Sequence, residues 1–522
     1  MKQRRTGFVR SESFSIVWLA IMISCVPGWA QQPAGAGPDS VNQSLAAAVQ
    51  ELRVQVQELR STVAEMKSES AQYRAQSEEL RKELENMRAN AAGAVPAQRV
   101  ETNLASGAVT SSTPAAQRVA SLEETTQLVQ GEIRDQYQTK IESASKYRLR
   151  LSGLVLLNLF SNHGYVDNLD FPTYAASTNI YGTSQGFGAT LRQSELGLEA
   201  FGPNLAGAKT SGEVQFDFGG GFPAAALDGI NSGLVRLRTA SVRLDWQHTS
   251  IIAGQDNLFI SPLSPTSFAS LVVPSLGYSG NLWAWTPQLR VEHKFNLEGD
   301  QSIIVQGGIM DNLTGEPSYT SRRQPQAGES SGQPAYAVRT AWGTNLNGRP
   351  LTLGASGFYS RQNWGFDWNV DGWAIASDWR IPVASKVELS GEFYRGRAVG
   401  GIGGGIGQSI LFSGSPTDPT SNFRPINSAG GWSQIKFYAT PKLEFNGAFG
   451  VDAPFSADIH AFPSPIGFYP SVLAANRSGL ANFIYRPRSD LLFSGEYRHL
   501  KTAEIGIINN ADQVNLMMGV LF

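Results

Sequence analysis

The sequence predicts an all-β transmembrane barrel of about sixteen antiparallel strands preceded by an α-helical coiled coil. Three observations carry that expectation: a period-two alternation of apolar and polar residues from residue 146 to the end, connections that alternate short and long, and a heptad repeat ahead of both. The alternation is plainest at the carboxy terminus. Val514, Leu516, Met518, Val520 and Phe522 alternate with Gln513, Asn515, Met517, Gly519 and Leu521, so a strand here has one wholly apolar face ending on an aromatic. Soluble chains usually end in disordered polar residues. A closing strand of a membrane barrel needs an aromatic where its apolar face meets the interface.

The chain has 522 residues and a formal net charge of −2, which offers no footprint for nucleic acid. Residues 1–30 read as a secretory signal peptide: Lys2, Arg4, Arg5 and Arg10 precede an apolar run from Phe14 to Val26, with Gly28 and Ala30 at the small positions before cleavage. The only cysteine, Cys25, falls inside it, and Met22, Ile23 and Ser24 make a poor lipidation box. The mature chain is therefore expected to lack a disulfide. Residues 31–44 are a linker. Residues 45–88 form the coiled coil, with Leu45, Val49, Leu52, Val56, Leu59, Val63 and Met66 on the seam and Ser70, Tyr73, Ser77, Leu80, Leu84 and Met87 continuing it. Arg74 and Arg88 at e positions face Glu69 and Glu83 at g positions of a partner helix, which sets a parallel register. At 1.5 Å per residue the rod would be about 65 Å long. Residues 89–117, rich in Ala, Ser and Thr and broken by Pro96 and Pro114, read as a flexible linker. Residues 118–145 read as a helix leading to the barrel, with Ser121 and Glu124 as a capping box and Leu122, Val129, Ile133, Tyr137 and Ile141 as one apolar stripe.

From residue 146 the period becomes two. Leu149, Leu151, Gly153, Val155, Leu157 and Leu159 fall on one face, and Arg148, Arg150, Ser152 and Asn158 on the other. In the same way Lys209, Ser211, Glu213, Gln215 and Asp217 oppose Thr210, Gly212, Val214, Phe216 and Phe218. Such strands put apolar residues toward lipid and polar ones toward a lumen. Strands are expected to begin near residues 147, 190, 208, 234, 248, 286, 301, 335, 351, 369, 386, 430, 441, 476, 489 and 512. Short connections such as GPNLAG at Gly202–Gly207 alternate with long ones such as Asn257–Trp285 and Gly396–Ala429. Arg236 and Arg238 share one phase, whereas Ser241, Arg243 and Asp245 share the other, which predicts a bulge near Thr239 and Ala240.

The inward faces would line a water-filled path with Arg148, Arg150, Arg192, Arg236, Arg238, Arg243, Arg290, Lys294, Arg339 and Lys436, against Glu195, Glu199, Glu213, Asp217, Asp245 and Glu292. Two readings of these charges stand side by side: a basic ladder that favours carboxylates or phosphates, and a network of ion pairs that braces the wall. The stretch Ile260–Trp283 is too apolar for an exposed loop and is expected either in the lumen as a constriction or at a subunit interface. The glycine run Gly400–Gly407 has neither a strand-to-helix setting nor a following Lys-Ser/Thr, so no nucleotide site is expected. His163, His248, His293, His460 and His499 are dispersed without an HExxH or CxxC spacing, so no catalytic residues, metal or cofactor are expected. An outer-membrane hydrolase would need histidine and serine together at the lipid face, where His293 and His499 fall.

Three stretches, KYRLRLSGLVLLNLFSN, LRQSELGLEAFGPNLAGAKTSGEVQFDF and RTASVRLDWQHTSIIAGQDNLF, resemble outer-membrane porins of the DcaP type and related trimeric porins. The resemblance implies a trimeric diffusion pore in the bacterial outer membrane, in contact with outer-membrane lipid, with the arm in the periplasm and basic residues helping small hydrophilic anions through. Val at a with Leu at d by itself favours two strands, so dimer and trimer both stay open. The alternative function is a structural tether whose coiled coil reaches toward the cell wall.

Overall fold

The computed structural model describes residues 148–178, 182–222, 233–317, 323–468 and 471–522, together with the backbone of 140–141. The expected signal peptide, linkers, coiled coil and most of the expected helix 118–145 lie outside the described residues. At its end that helix is corrected: Lys140 and Ile141 form a two-residue strand paired with Arg150 and Leu149.

Sixteen antiparallel strands form one closed barrel. They are β1 (Arg148–His163), β2 in two segments (Gln185–Thr190 and Glu195–Phe201), β3 (Lys209–Asp217), β4 (Arg236–Asp245), β5 (Thr249–Asn257), β6 (Trp285–Asn296), β7 (Ser302–Met310) and β8 (Ala335–Leu346). There follow β9 (Arg349–Asn363), β10 (Asn369–Ala384), β11 (Val387–Arg397), β12 (Asn427–Thr440), β13 (Leu443–Pro454), β14 (Leu473–Arg488), β15 (Leu491–Glu504) and β16 (Ile507–Leu521). β16 pairs with β1 from Leu521↔Leu154 to Asp512↔His163, which removes the free edges. Gly153 and Phe522 close the seam with reciprocal backbone hydrogen bonds of 2.9 and 3.1 Å.

Alternation places the two faces as the sequence pattern requires. Val155, Leu157, Leu159, Val514, Leu516, Met518 and Val520 are exposed outward, whereas Leu156, Asn158, Gln513 and Asn515 are buried inward. Outward aromatics gather near both rims: Phe295, Phe437, Phe445, Tyr485, Phe493 and Phe522 at the end with the short turns, and Phe187, Tyr336, Tyr359 and Phe393 at the opposite end. That is the girdle arrangement of a membrane barrel. All seven connections at the turn end are short, and the other end carries the long loops, except that 364–368 and 505–506 are also tight.

Two local departures from regular pairing have clear causes. β2 breaks at 191–194, where Ser194 Oγ accepts the Leu156 N–H at 3.0 Å in place of a ladder carbonyl. On β4 the bulge lies one residue from the expected site: Gln215 pairs with Thr239 and Phe216 with Leu237, so Arg238 is the extra residue. It reverses the phase that sets Arg236 against Arg243.

Candidate pore lining and constriction

The connection 258–284, after β5, folds into the lumen. Its apolar residues cover inward-facing wall. Leu258, Phe259, Ile260 and Leu282 pack with Phe358 and Tyr394, Ala269 with Leu154, Leu156, Leu492 and Met517, and Leu276 with Trp432, Ala448 and Leu480. A loop buried this way must find partners for its backbone polar groups, and inward side chains of distant strands supply them. Glu392 on β11 accepts the Leu263 N–H at 2.8 Å and the Ser261 hydroxyl. Gln434 on β12 accepts the Thr266 N–H at 2.6 Å, and Asn482 on β14 donates to the Thr266 carbonyl at 2.8 Å. Ser267 donates to Glu496 on β15, and Gln193 accepts the Leu271 N–H at 2.6 Å while donating to the Ala269 carbonyl. The loop therefore touches β2, β11, β12, β14 and β15 from a root at β5. Of the two placements expected for it, the lumen holds.

A second inward connection, 398–426, stacks behind the first. The Trp283 N–H donates to the Ile402 carbonyl at 3.0 Å, the Gly405 N–H to Tyr394 Oη at 2.9 Å, and the Ile406 N–H to Asp452 at 3.1 Å. A Cβ on Gly401 would lie 2.0 Å from the Leu313 carbonyl oxygen, so glycine lets this backbone meet the 311–334 connection directly. The glycine run is explained by loop-on-loop packing.

Most of the expected lining cations are held by carboxylates. Arg150 pairs with Glu199 at 3.2 Å, Arg236 with Asp217 at 2.6 Å, and Arg238 with Glu195 and, at 3.8 Å, Asp217. Arg243 pairs with Asp245 at 2.7 Å and Glu292 at 3.7 Å; Arg290 pairs with Asp256 at 2.8 Å and Glu292 at 2.9 Å. Lys436 stands 3.9 Å from Glu444. Glu213 takes a hydrogen bond from Gln215. The bracing network thus describes the mid-wall better than a bare ladder does.

Arg192, Arg290, Arg339 and Asp217 need a correction as lining residues, and Arg192 and Arg339 show why. Each is buried, Arg192 against Asp170 at 3.0 Å between the rings of Phe171 and Phe222, and Arg339 against Asp378 at 2.7 Å and Gln306 at 3.0 Å. The inward loops and neighbouring side chains seal them from the water path. Among the described residues Arg148 and Lys294 make no ion pair, and both are exposed. Lys209, not among the expected lining residues, shares this state at the turn-end mouth. The sequence reading also missed Asp170, Asp256 and Asp378 as partners and Gln193 and Glu496 as loop anchors. The inward phase of Asp256 and Asp378 was readable, but which loop would come to meet the wall was not. The outward histidines are bound locally, His293 to Thr249 Oγ1 and His499 to Asp512, each at 2.8 Å.

No family model matches this chain, and no curated protein matches it significantly. Its fold is similar to that of the outer membrane channel DcaP of Acinetobacter baumannii, at a TM-score of 0.52 and 16% identity over 74% of this chain and 100% of that one. The anion-selective porin from Comamonas acidovorans aligns at 0.44 and 11% identity over 72% of this chain and 100% of that one, and Pseudomonas putida OprB at 0.43 and 12% over 72% and 94%.

Proposed function

We propose that this protein is a porin of the bacterial outer membrane through which small hydrophilic solutes diffuse passively, with small carboxylate-type anions preferred. The observation that carries the reading is a closed sixteen-stranded barrel, apolar outside and charged inside, whose lumen is narrowed by a loop anchored to the far wall. A barrel of this strand number encloses water, and selection in such a path comes from its width and from fixed charge along it. At mid-wall the charges compensate each other. The anion preference rests on the turn-end mouth, where Arg148, Lys209 and Lys294 are exposed with no carboxylate partner among the described residues and Arg150, though paired, has a side chain 56% exposed. A positive mouth raises the local concentration of anions and lowers that of cations. The periplasmic placement of the amino-terminal arm and a homotrimeric assembly belong to the same proposal.

The test is single-channel conductance of the detergent-extracted protein in a planar bilayer, with the reversal potential read across a KCl gradient. Steps in groups of three with chloride favoured are expected. A folded, heat-modifiable barrel that never conducts would overturn the pore.

A further inference from the structure

We propose that Arg477 and Lys501, on the outward face near the loop end of β14 and β15, form a binding site for the phosphate of an outer-leaflet lipid headgroup. This inference rests on the reading of the barrel as an outer-membrane protein.

The two residues are direct partners across the β14–β15 ladder, and both are exposed. Like charges in that position repel and destabilise a sheet unless something negative sits between them. Among the described residues neither has a carboxylate within ion-pair distance. Other outward cations at this end are compensated: Arg361 pairs with Asp371 at 2.7 Å, and Arg395 donates to the carbonyl oxygens of Gly396 and Ser428 and lies over Trp373 and Phe455. Asp512, the outward carboxylate on β16, is taken by Tyr497 at 2.6 Å and His499 at 2.8 Å. Among the described residues the Arg477–Lys501 pair therefore lacks its counter-charge.

Its height identifies the counter-charge. Tyr485 and Phe493 are outward aromatics at the turn end, paired with each other, and Arg477 and Lys501 lie the same number of residues further along their strands. At about 3.3 Å per residue and a tilt of about 40°, that separation rises about 20 Å across an apolar band of about 25 Å. The backbone of the two cations thus comes within about 5 Å of the headgroup level, a distance their long stems span to place the charge there. On the membrane side of Arg477 the outward face of β14 carries only Gly479 and Ala481, opposite His499 and Tyr497, while Ala475 and Ala503 lie on the loop side. The lane over Gly479 and Ala481 leaves room for an acyl chain below a phosphate held between guanidinium and ammonium. Phosphate offers acceptor oxygens to both groups at once.

The experiment uses the full chain in a non-ionic detergent and native mass spectrometry. The probes are short-chain phosphatidic acid, phosphatidylcholine of the same chain length, and inorganic phosphate, each against the unchanged protein and the double variant R477Q/K501Q. Because the substitution removes a repulsion, the variant is expected to fold and to keep the wild-type conductance. Phosphatidic acid is expected to bind the wild type at least about tenfold more tightly than the variant, as two lost basic contacts at a membrane surface require. Phosphatidylcholine should not discriminate, and inorganic phosphate should not compete. Equal lipid binding by both proteins would overturn the site, and full competition by inorganic phosphate would make it a free-anion site. Dissociation of an oligomer by the double variant would show instead that a neighbouring subunit's carboxylate fills the gap. If the wild type binds lipid in this pattern yet never conducts, the pore reading fails and the lipid site stands.

Discussion

Replacing Asp217 with Asn tests whether charge compensation at mid-wall sets the selectivity. Asp217 is fully buried at the end of β3, accepts Arg236 at 2.6 and 3.1 Å, and stands 3.8 Å from Arg238. Arg236 also donates to the Val272 carbonyl of the inward loop at 2.6 Å, so this pair sits where the lumen is narrowed. The variant removes one negative charge while Arg236 keeps the Val272 carbonyl and Arg238 keeps Glu195, and the side chain of Arg236, 27% exposed, can face the path. A unit charge about 8 Å from a passing ion in water is worth about 0.5 kcal/mol, or about twofold in partition. The missing charge favours chloride and disfavours potassium alike, so reversal potentials in dilute KCl should shift toward chloride by about the square of that factor, roughly fivefold, in the permeability ratio. In about 1 M salt, where screening acts within about 3 Å, most of the shift should vanish. An unchanged ratio at low salt, or a shift toward potassium, in a barrel that still migrates as heat-modifiable, would refute the reasoning.

Asp378→Asn is the contrasting case: Arg339 and Asp378 are sealed from water, so leaving the arginine unpaired should cost about 3–5 kcal/mol of stability, read as a lower unfolding temperature with the permeability ratio unmoved. Replacing residues 262–280 with a short Gly-Ser linker should raise the single-channel conductance, because the loop that crosses the lumen is gone while β5 and β6 stay joined. Gly153→Ala should slow barrel closure in a refolding gel assay, since its Cβ would meet the Phe522 ring at 2.6 Å and the Glu195 carbonyl at 2.8 Å. Asp458, beyond β13, is pushed up by burial but held below the usual carboxylate range by hydrogen bonds from Asn427 and Arg424. A carboxyl lower in the folded than in the unfolded state stabilises above its ordinary value of 3.8 and loses that contribution as pH falls through the folded value. Acid titration should therefore loosen this loop in the wild type, as followed by limited proteolysis, and Asp458→Asn should show that susceptibility already at neutral pH.

The strands were legible because lipid and lumen impose opposite demands on successive residues. Starting points near 248, 335 and 369 agree with Thr249, Ala335 and Asn369 to within a residue. Agreement is poorest where alternation lapses: Ile507 and Ile508 stand side by side, followed by Asn509 and Asn510, so β16 starts five residues before 512. Gln185–Thr190, with two glycines and no clear phase, hid the first half of β2 in the same way. The lining was legible as a set of inward charges. Its pairing was not, because Arg339 reaches Asp378 two strands away and Arg192 meets a carboxylate in the first long loop. Apolar residues in 258–284 announced burial without naming a wall. The wall's side of that contact, in Gln193, Gln434, Asn482 and Glu496, looks from sequence like ordinary lumen polarity.

The inward loop has a consequence for assembly. Its partners lie far ahead in the chain: Ser261 waits for Glu392, 131 residues on, Thr266 for Gln434, 168 on, and Ser267 for Glu496, 229 on. Contacts of such sequence separation are costly to close early. The narrowing is therefore among the last features to form, after β15 has reached its place. Until then the nascent barrel is a wide, unplugged ring, and a cell that inserts it must either close it quickly or shield it from free leakage.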